Sequence, residues 1–195
     1  MASPTRREEV LSDPSIRIRT ASPEDSQLLA RLGARTFSDT FGPDNTAEDM
    51  AAYLVQAFGP EKQAAELADP ATTVLIAEVG PEAVGYARLR EGPAPACIPA
   101  GRPIEIVRFY AVASWIGRGV GAALMASCLE HARQHGCGTV WLDVWERNSR
   151  AIAFYRRWGF TEVGTQAFVL GTDVQRDLLM ARPVQTDAAA QRIES

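Results

Sequence analysis

Three glycines within five residues, between an apolar run and an amphipathic stretch, constrain this chain more than any other feature. Gly117, Gly119 and Gly121 follow the apolar run 104–112 and precede residues whose spacing predicts a helix. Because glycine leaves main-chain N–H groups uncovered, a bulky anion can approach them, and the positive end of the helix dipole adds to the attraction. A strand, a glycine turn and a helix N-terminus in this order predict a cradle for a pyrophosphate group. This indicates chemistry with a nucleotide-containing cofactor.

Length and composition set the scale of the molecule. The chain has 195 residues, of which 46% are hydrophobic and 23% are charged. This composition suits one globular domain with a substantial core, which we expect over residues 15–183, between loose tails at 1–14 and 184–195. The net charge of −4 disfavours nucleic acid as a partner. No apolar run has the length of a membrane span, so we expect no membrane partner.

The cysteines and histidines carry no metal signature. Cys97, Cys128 and Cys137 lack the spacing of metal ligands, and we interpret them as reduced thiols of a cytoplasmic protein. His131 and His135 lie one helical turn apart, a spacing that a metal pair could use. With no third histidine nearby, a solvent-facing helix end is the favoured interpretation, and we expect no metal.

The periodicity of the chain predicts a mixed α/β sheet in one domain. Helices are expected between the first two strands and after the strands that end at residues 112 and 145. The predicted strands cover residues 16–19, 72–79, 83–90, 104–112, 139–145, 161–163 and 168–180, the last interrupted around residues 171–173. The segment 91–103, rich in glycine, proline and alanine, is predicted to be a loop long enough for a role at the mouth of a binding site.

Two motifs, in this order along the chain, resemble the GCN5-related N-acetyltransferase (GNAT) superfamily. In the glycine segment, Gly119 and Gly121 match the two small positions of the family motif, whereas Ile116 departs from its usual glutamine or arginine. Residues 148–160 match the second signature, Asn-x-x-Ala-x-x-Phe-Tyr-x-x-x-Gly-Phe, in full. The ending, residues 165–178, resembles a bacterial subgroup that includes the PaiA-type polyamine acetyltransferases.

The resemblance implies a single GNAT-like domain with acetyl-CoA as donor and an amine as acceptor. The mostly antiparallel sheet would splay between the central strand and its parallel neighbour, 139–145, near a bulge that frees N–H groups for the thioester carbonyl. The cofactor-binding residues that this implies are Phe109, Tyr110, Ala111, Val112, Gly117, Arg118, Gly119, Val120, Gly121, Ala122 and Asn148. Two of them have alternatives: Arg118 contacts a phosphate or only solvent, and Asn148 reaches the cofactor or caps its helix.

The chemistry of acyl transfer needs a base and an acid. A free alkylamine has a pKa of about 10.4 and must lose a proton before it can attack. Glu105 is the candidate base, directly or through water, and its alternative is an ion pair with an arginine such as Arg108. Tyr155 is the candidate acid for the departing thiolate, and its alternative is a core aromatic. Because adjacent helix residues do not share a face, we assign Phe154 to packing.

Aromatic and acidic residues of the helical front could shape an acceptor pocket. By the resemblance, the aromatic residues expected in its wall are Phe37, Phe41 and Tyr53. Acids there could attract a polyamine, although a solvated helix face is favoured for Asp39, Asp44, Glu48 and Asp49. Trp141 and Trp145 share a strand face, where core packing is favoured over substrate stacking. Trp115 is expected nearer to cofactor or substrate.

Three classes of function compete. The leading one is direct transfer to a small-molecule primary amine in a ternary complex, since no cysteine lies where a covalent relay would need it. The alternative is a non-catalytic acyl-CoA-binding regulatory module. A Rossmann-type dinucleotide binder is disfavoured, because the glycines follow a meander and the next acid, Asp143, lies within a strand. The identity of the acceptor amine and the formation of a homodimer stay open.

Overall fold

The computed structural model describes residues 15–170 and 173–184. Its helices are α1 (Ser26–Phe41), α2 (Ala47–Phe58), α3 (Pro60–Ala68), α4 (Val120–Gln134) and α5 (Ser149–Arg157). Its strands are β1 (Ile16–Thr20), β2 (Thr72–Val79), β3 (Glu82–Glu91), β4 (Pro103–Ala111), β5 (Thr139–Trp145), β6 (Thr161–Leu170) and β7 (Asp173–Pro183). The tails predicted at 1–14 and 184–195 lie outside the described residues, except for Val184, whose N–H donates to the Gly138 carbonyl at 2.9 Å.

In the described part of the chain, seven strands join one sheet in the order β1-β2-β3-β4-β5-β7-β6. Neighbouring strands are antiparallel except for β4 and β5, which run parallel. This confirms the predicted α/β fold with a mostly antiparallel sheet and one parallel pair.

One strand is longer than its sequence pattern indicates. The residues 164–167, which we left outside the predicted strands, belong to β6 and pair with β7. This segment lies at the edge of the sheet and carries Gly164, Thr165 and Gln166, so it lacks the apolar alternation of a half-buried strand. Its pairing comes from main-chain hydrogen bonds to β7, which a pattern of side chains does not reveal.

The parallel pair separates soon after it begins. Strands β4 and β5 are paired only from Pro103–Thr139 to Glu105–Trp141, and both strands continue beyond that point. The register of β3 against β4 also shifts so that Val107 is an extra residue. Because a bulge bends a strand and increases its twist, it turns β4 away from β5. The separation of the two strands is confirmed. The bulge was expected at residues 109–112, but it lies earlier, at Val107.

Helices cover both faces of the sheet. On one face, Leu124 and Met125 of α4 and Ile152 of α5 are buried in the main core cluster. On the other face, Leu29 and Leu32 of α1 pack against β2 and β3, and α2 and α3 complete this layer. The gap between β4 and β5 therefore lies between two helical layers.

Candidate active site

A cavity of about 630 Å³ occupies the gap where β4 and β5 separate. Phe154 and Tyr155 of α5 line it from one face of the sheet. Phe37, Phe41 and Tyr53 line it from the other face, as the resemblance implied for the helical front. The cavity therefore connects the two faces, so that two substrates can meet inside it from opposite sides.

The glycine turn forms one end of this cavity. Gly117 and Gly119 have φ angles of 81° and 88°, values that favour glycine, and α4 begins directly afterwards. The N–H of Ala123 is bonded to the Gly119 carbonyl at 3.0 Å, so the N–H groups of residues 119–122 precede the helical hydrogen-bond ladder. Gly121 and Ala122 also line the cavity. Four orphan N–H groups and the helix dipole give this end a positive potential.

The neighbouring helix α5 adds positive charge and shape to the same end. A Cβ at Gly121 would lie 3.4 Å from the Phe154 ring, so the small residue keeps space between α4 and α5. Arg150 and Arg157 lie one turn on either side of Phe154, are exposed and line the cavity. Asn148 also lines it, and its side chain accepts the Ala151 N–H at 3.1 Å as a helix cap.

Some residues of the turn lie elsewhere than expected. The guanidinium of Arg118 lies 5.4 Å from the centre of the Trp115 ring, and neither residue lines the cavity. Trp115 is partly buried and packs against the core clusters, and its expected position near cofactor or substrate stays a prediction. The Val120 side chain is fully buried, so only its main-chain N–H is available. Ile116, which stands where the family motif usually has glutamine or arginine, lines the cavity.

Two of the four predicted strand amides point into the gap. The Val112 N–H donates to the Val84 carbonyl of β3 at 2.8 Å, and Val112 is fully buried, so its expected role as a donor to a substrate is wrong. Successive N–H groups of a strand point to opposite edges. The N–H of Tyr110 thus points to β3, whereas those of Phe109 and Ala111 point toward β5, where no pairing uses them.

Tyr155 lies in an aromatic setting beside the gap. Its ring contacts those of Phe109, Phe154 and Phe160 at 5.6 to 6.0 Å between centres. Burial, followed by the negative charge of Asp143, raises the pKa of Tyr155, so the phenol keeps its proton at neutral pH. Phe154 lines the cavity as well and also packs against the core, so its assignment to packing alone is wrong.

Glu105 lies at the last position where β4 pairs with β5, and it lines the cavity. It is 9% exposed, and its carboxylate accepts a hydrogen bond from Arg90 at 2.6 Å. Arg108, which we considered as its partner, pairs with Glu66 at 2.6 Å instead. Burial raises the pKa of Glu105, and the Arg90 guanidinium opposes that shift.

Two further acids in the cavity escaped the sequence analysis as site residues. Asp143 accepts a hydrogen bond from the Gln166 amide at 2.7 Å, and burial raises its pKa. Asp177 is 7% exposed, and burial, followed by the charge of Asp143, raises its pKa to about 6. The sequence did carry one sign of a functional carboxylate. Asp143 lies between the apolar strand residues Leu142 and Val144, where an acid is unusual.

Other predicted residues have clear positions. Trp141 is buried with Ile98 and Leu179, as expected, whereas Trp145 lines the cavity and is not a pure core residue. The loop 92–102 contributes Ile98 to that small cluster and no residue to the cavity, so its expected place at the mouth is wrong. The acids of the helical front do not line the cavity, in agreement with the favoured interpretation of a solvated helix face. They are Asp39, Asp44, Glu48 and Asp49.

The described residues form neither a metal-binding cluster nor a membrane-crossing helix. Within 15–170 and 173–184, no three or more histidine, cysteine, aspartate or glutamate side chains are grouped to hold a metal ion. In the same ranges, no helix has both the length and the apolar character needed to cross a membrane.

Comparisons with known proteins agree with this geometry. Residues 36–160 match the Acetyltransferase (GNAT) family. The chain is 34% identical over 167 residues to an uncharacterized N-acetyltransferase of Lactobacillus delbrueckii subsp. lactis, covering 86% of this chain and 96% of the relative. It is also 34% identical to an uncharacterized N-acetyltransferase of Mycobacterium tuberculosis, covering 81% and 97%. The crystal structure of PaiA N-acetyltransferase from Thermoplasma acidophilum in complex with coenzyme A has a similar fold, with a TM-score of 0.71, 21% identity and coverage of 87% and 99%.

The raised pKa of Asp177 predicts a pH-dependent gain of stability in Asp177→Asn. In the folded chain this carboxyl titrates at about 6, against 3.8 for the free side chain, so the folded state loses stability as pH rises between these values. At about pH 7.5 the neutral amide should raise the free energy of unfolding by about 1–2 kcal/mol, after a discount for the part of the group that faces the cavity. Below about pH 4 the gain should vanish, because both states then hold the proton.

Urea denaturation across this pH range measures the effect. Asp39→Asn is the matched control, since Asp39 is exposed on α1 outside the cavity, and it should change stability by less than about 0.5 kcal/mol. If Asp177→Asn is less stable than the wild type at about pH 7.5, the conclusion that the Asp177 carboxylate is buried without a compensating charge is wrong.

Proposed function

The chain belongs to the acetyltransferase (GNAT) family, and from this premise we propose that it moves the acetyl group of acetyl-CoA to a primary amine by direct attack in a ternary complex. A polyamine or another small amine is the favoured acceptor, and a protein amine is the second class. One observation carries the proposal: the cavity at the separated strands holds the glycine turn, the unpaired strand amides and Tyr155 together. A non-catalytic acyl-CoA-binding module would need neither Glu105 nor Tyr155, and both line this cavity.

Finer features of the proposal have separate support. The resemblance of residues 165–178 and the fold shared with the Thermoplasma acidophilum protein favour the PaiA-type subgroup. Cys128 and Cys137 are buried free thiols, as expected in the reducing cytoplasm.

The glycine turn would bind the diphosphate of acetyl-CoA. The N–H groups of Gly119, Val120, Gly121 and Ala122 point out of the first turn of α4 and can donate to phosphate oxygens without a change of structure. The exposed guanidinium of Arg150 lies on the same end of the cavity and adds a charged donor. Space kept by the missing Cβ at Gly121 lets the chain of the donor pass between α4 and α5.

The separated strands would receive the reacting end of the donor. Acetyl-CoA supplies an acetyl group activated as a thioester. The N–H groups of Phe109 and Ala111 point into the gap and can donate to the carbonyl oxygen as negative charge develops there. Fixed main-chain donors stabilise this charge without reorganising, because the sheet already holds them in place.

Glu105 and Tyr155 would handle the two protons. Glu105, directly or through water, accepts the proton that the amine loses as its nitrogen forms the new bond to the acetyl carbon. As the carbon–sulfur bond breaks, the Tyr155 hydroxyl donates its proton to the departing thiolate. The raised pKa of the phenol keeps this proton available at neutral pH.

The diphosphate site predicts a charge effect at Ala122. Ala122 is exposed in the first turn of α4 and lines the cavity. Ala122→Asp should lower the affinity for acetyl-CoA by about tenfold or more, because a carboxylate there repels the diphosphate, while an acid at a helix start leaves folding intact. Calorimetric titration measures the affinity. Ala122→Asn has the same size without the charge and should lose much less, and equal losses in both variants would exclude an electrostatic origin.

The base assignment predicts a pH-dependent loss in Glu105→Gln. At about pH 7.5, kcat should fall roughly 100-fold, since general-base catalysis contributes about 10²–10⁴-fold, with the acetyl-CoA affinity unchanged. Activity should recover as pH approaches about 10, where the amine supplies its own neutral form. A loss that is the same at every pH would remove Glu105 from proton transfer.

The acid assignment predicts a loss of turnover in Tyr155→Phe. We expect kcat to fall by about 10²-fold, because the thiolate then leaves without a proton donor, while acetyl-CoA binding is retained. Steady-state thiol release with an amine panel, together with calorimetry, measures both quantities. The control is Tyr86→Phe, which removes a buried hydroxyl that has no hydrogen-bond partner among the described residues and lies outside the cavity. Unchanged turnover in Tyr155→Phe would refute the role of the phenol.

A further inference from the structure

Asp143 and Asp177 form an acidic corner of the cavity that the transfer step does not use. Asp177 faces Trp145 in the register of β5 and β7, and Asp143 lies two residues before Trp145 on the same strand. Residues two apart on a strand point to the same face. The two carboxylates are therefore diagonal neighbours on one face of the sheet, at a separation of about 7–8 Å between main chains. Both line the cavity.

No cation of the described chain forms an ion pair with this corner, although the charge of Arg90 attracts Asp143 from a distance. Asp143 has the neutral amide of Gln166 as its hydrogen-bond donor. Asp177 is 7% exposed, and its buried Oδ1 atom has no hydrogen-bond partner among the described residues. The neighbouring Arg176 points to the opposite face, where it pairs with Glu146 at 3.5 Å. A buried carboxylate without a partner is costly, which indicates a group that the chain itself does not supply.

The cationic side chain that lines the cavity on this side is already committed. Arg108 contacts Glu66 at 2.6 Å and the Ala57 carbonyl at 2.9 Å. Its guanidinium is thus directed to the helical layer and not to the acidic corner. Arg90, beside Glu105, is held by that carboxylate at 2.6 Å. Neither arginine therefore forms an ion pair with the corner, and a cationic ligand would supply the missing charge.

Aromatic rings surround the same part of the cavity. Trp145 lies 6.0 Å from Phe41, and Phe168 lies 5.8 Å from Tyr53, measured between ring centres. All four rings line the cavity. Aromatic faces attract organic ammonium groups and also pack against methylene chains. Carboxylates beside such rings are suited to an alkylammonium ion.

We propose that Asp177, assisted by Asp143, binds a second ammonium group of the acceptor, so that the enzyme selects amines with two or more cationic nitrogens joined by an aliphatic chain. This inference rests on the proposed transfer to an amine. One nitrogen is deprotonated and acetylated near Glu105, while the other stays charged in the acidic corner. Asp177 is a specificity-determining residue in this arrangement, because a simple alkylamine has no group to place there.

The test compares acceptors that differ only in the second nitrogen. The probes are α,ω-diaminoalkanes of about three to six carbons and the n-alkylamines of equal length, assayed by thiol release with the full-length enzyme. For the wild type, kcat/KM should favour the diamine of best length by about tenfold or more, as expected for one charge-assisted contact. In Asp177→Asn, the ratio of diamine to monoamine should fall at least about tenfold. The matched control Asp44→Asn, an exposed acid outside the cavity, should leave this ratio unchanged.

A second measurement separates this inference from the transfer reaction itself. Calorimetry of the same diamine with the coenzyme A complex, in which no acetyl group can move, should show weaker binding to Asp177→Asn than to the wild type. If no amine releases thiol but the diamine still binds through Asp177, the proposed transfer fails and the cation site stands. If thiol is released but the ratio and the diamine affinity are the same in both proteins, the transfer stands and the cation site is refuted.

Discussion

The separation of β4 from β5 after three paired residues is the constraint on which the rest of the structure depends. A continuous ladder would consume the N–H groups of Phe109 and Ala111 and close the sheet between its two helical layers. The separation leaves those groups unpaired and opens a passage from α5 to the aromatic residues of α1 and α2. The bulge at Val107 supplies the bend, and the antiparallel pairing with β3 and β7 holds the separated strands in place. In the proposed function, binding and chemistry use this defect in the sheet, which the neighbouring strands stabilise.

The cavity has opposite electrostatic character at its two ends. The first turn of α4 and Arg150 make one end positive, whereas Asp143 and Asp177 make the other negative. Glu105 also lies there, but Arg90 offsets its charge. Glu66 binds Arg88 at 2.8 Å and Arg108 at 2.6 Å and directs both guanidinium groups to the helical layer, while its single charge offsets one of the two positive charges. Such an arrangement suits a phosphorylated donor and a cationic acceptor that approach from different sides.

The residues of the proposed donor side are easier to find from the sequence than those of the proposed acceptor side. Gly119 and Gly121, Asn148 and Tyr155 lie in two contiguous motifs, and local rules for turns and helix starts apply to them directly. Asp143 and Asp177 are 34 residues apart in the chain, and only the register of β5 and β7 brings them together. A pattern of apolar residues shows that each lies on a strand, but it does not show that the two strands are neighbours in space.

By itself, the sequence determined the order of helices and strands, the glycine turn and the residues available for acid–base chemistry, because these follow from local spacing and side-chain type. Only the tertiary structure decided which carboxylates share the cavity, that Glu105 pairs with Arg90 while Arg108 pairs with Glu66, and that the Val112 amide is consumed by β3. The physical reason is that ion pairing, burial and strand register depend on contacts between residues far apart in the chain, and long-range packing alone sets them.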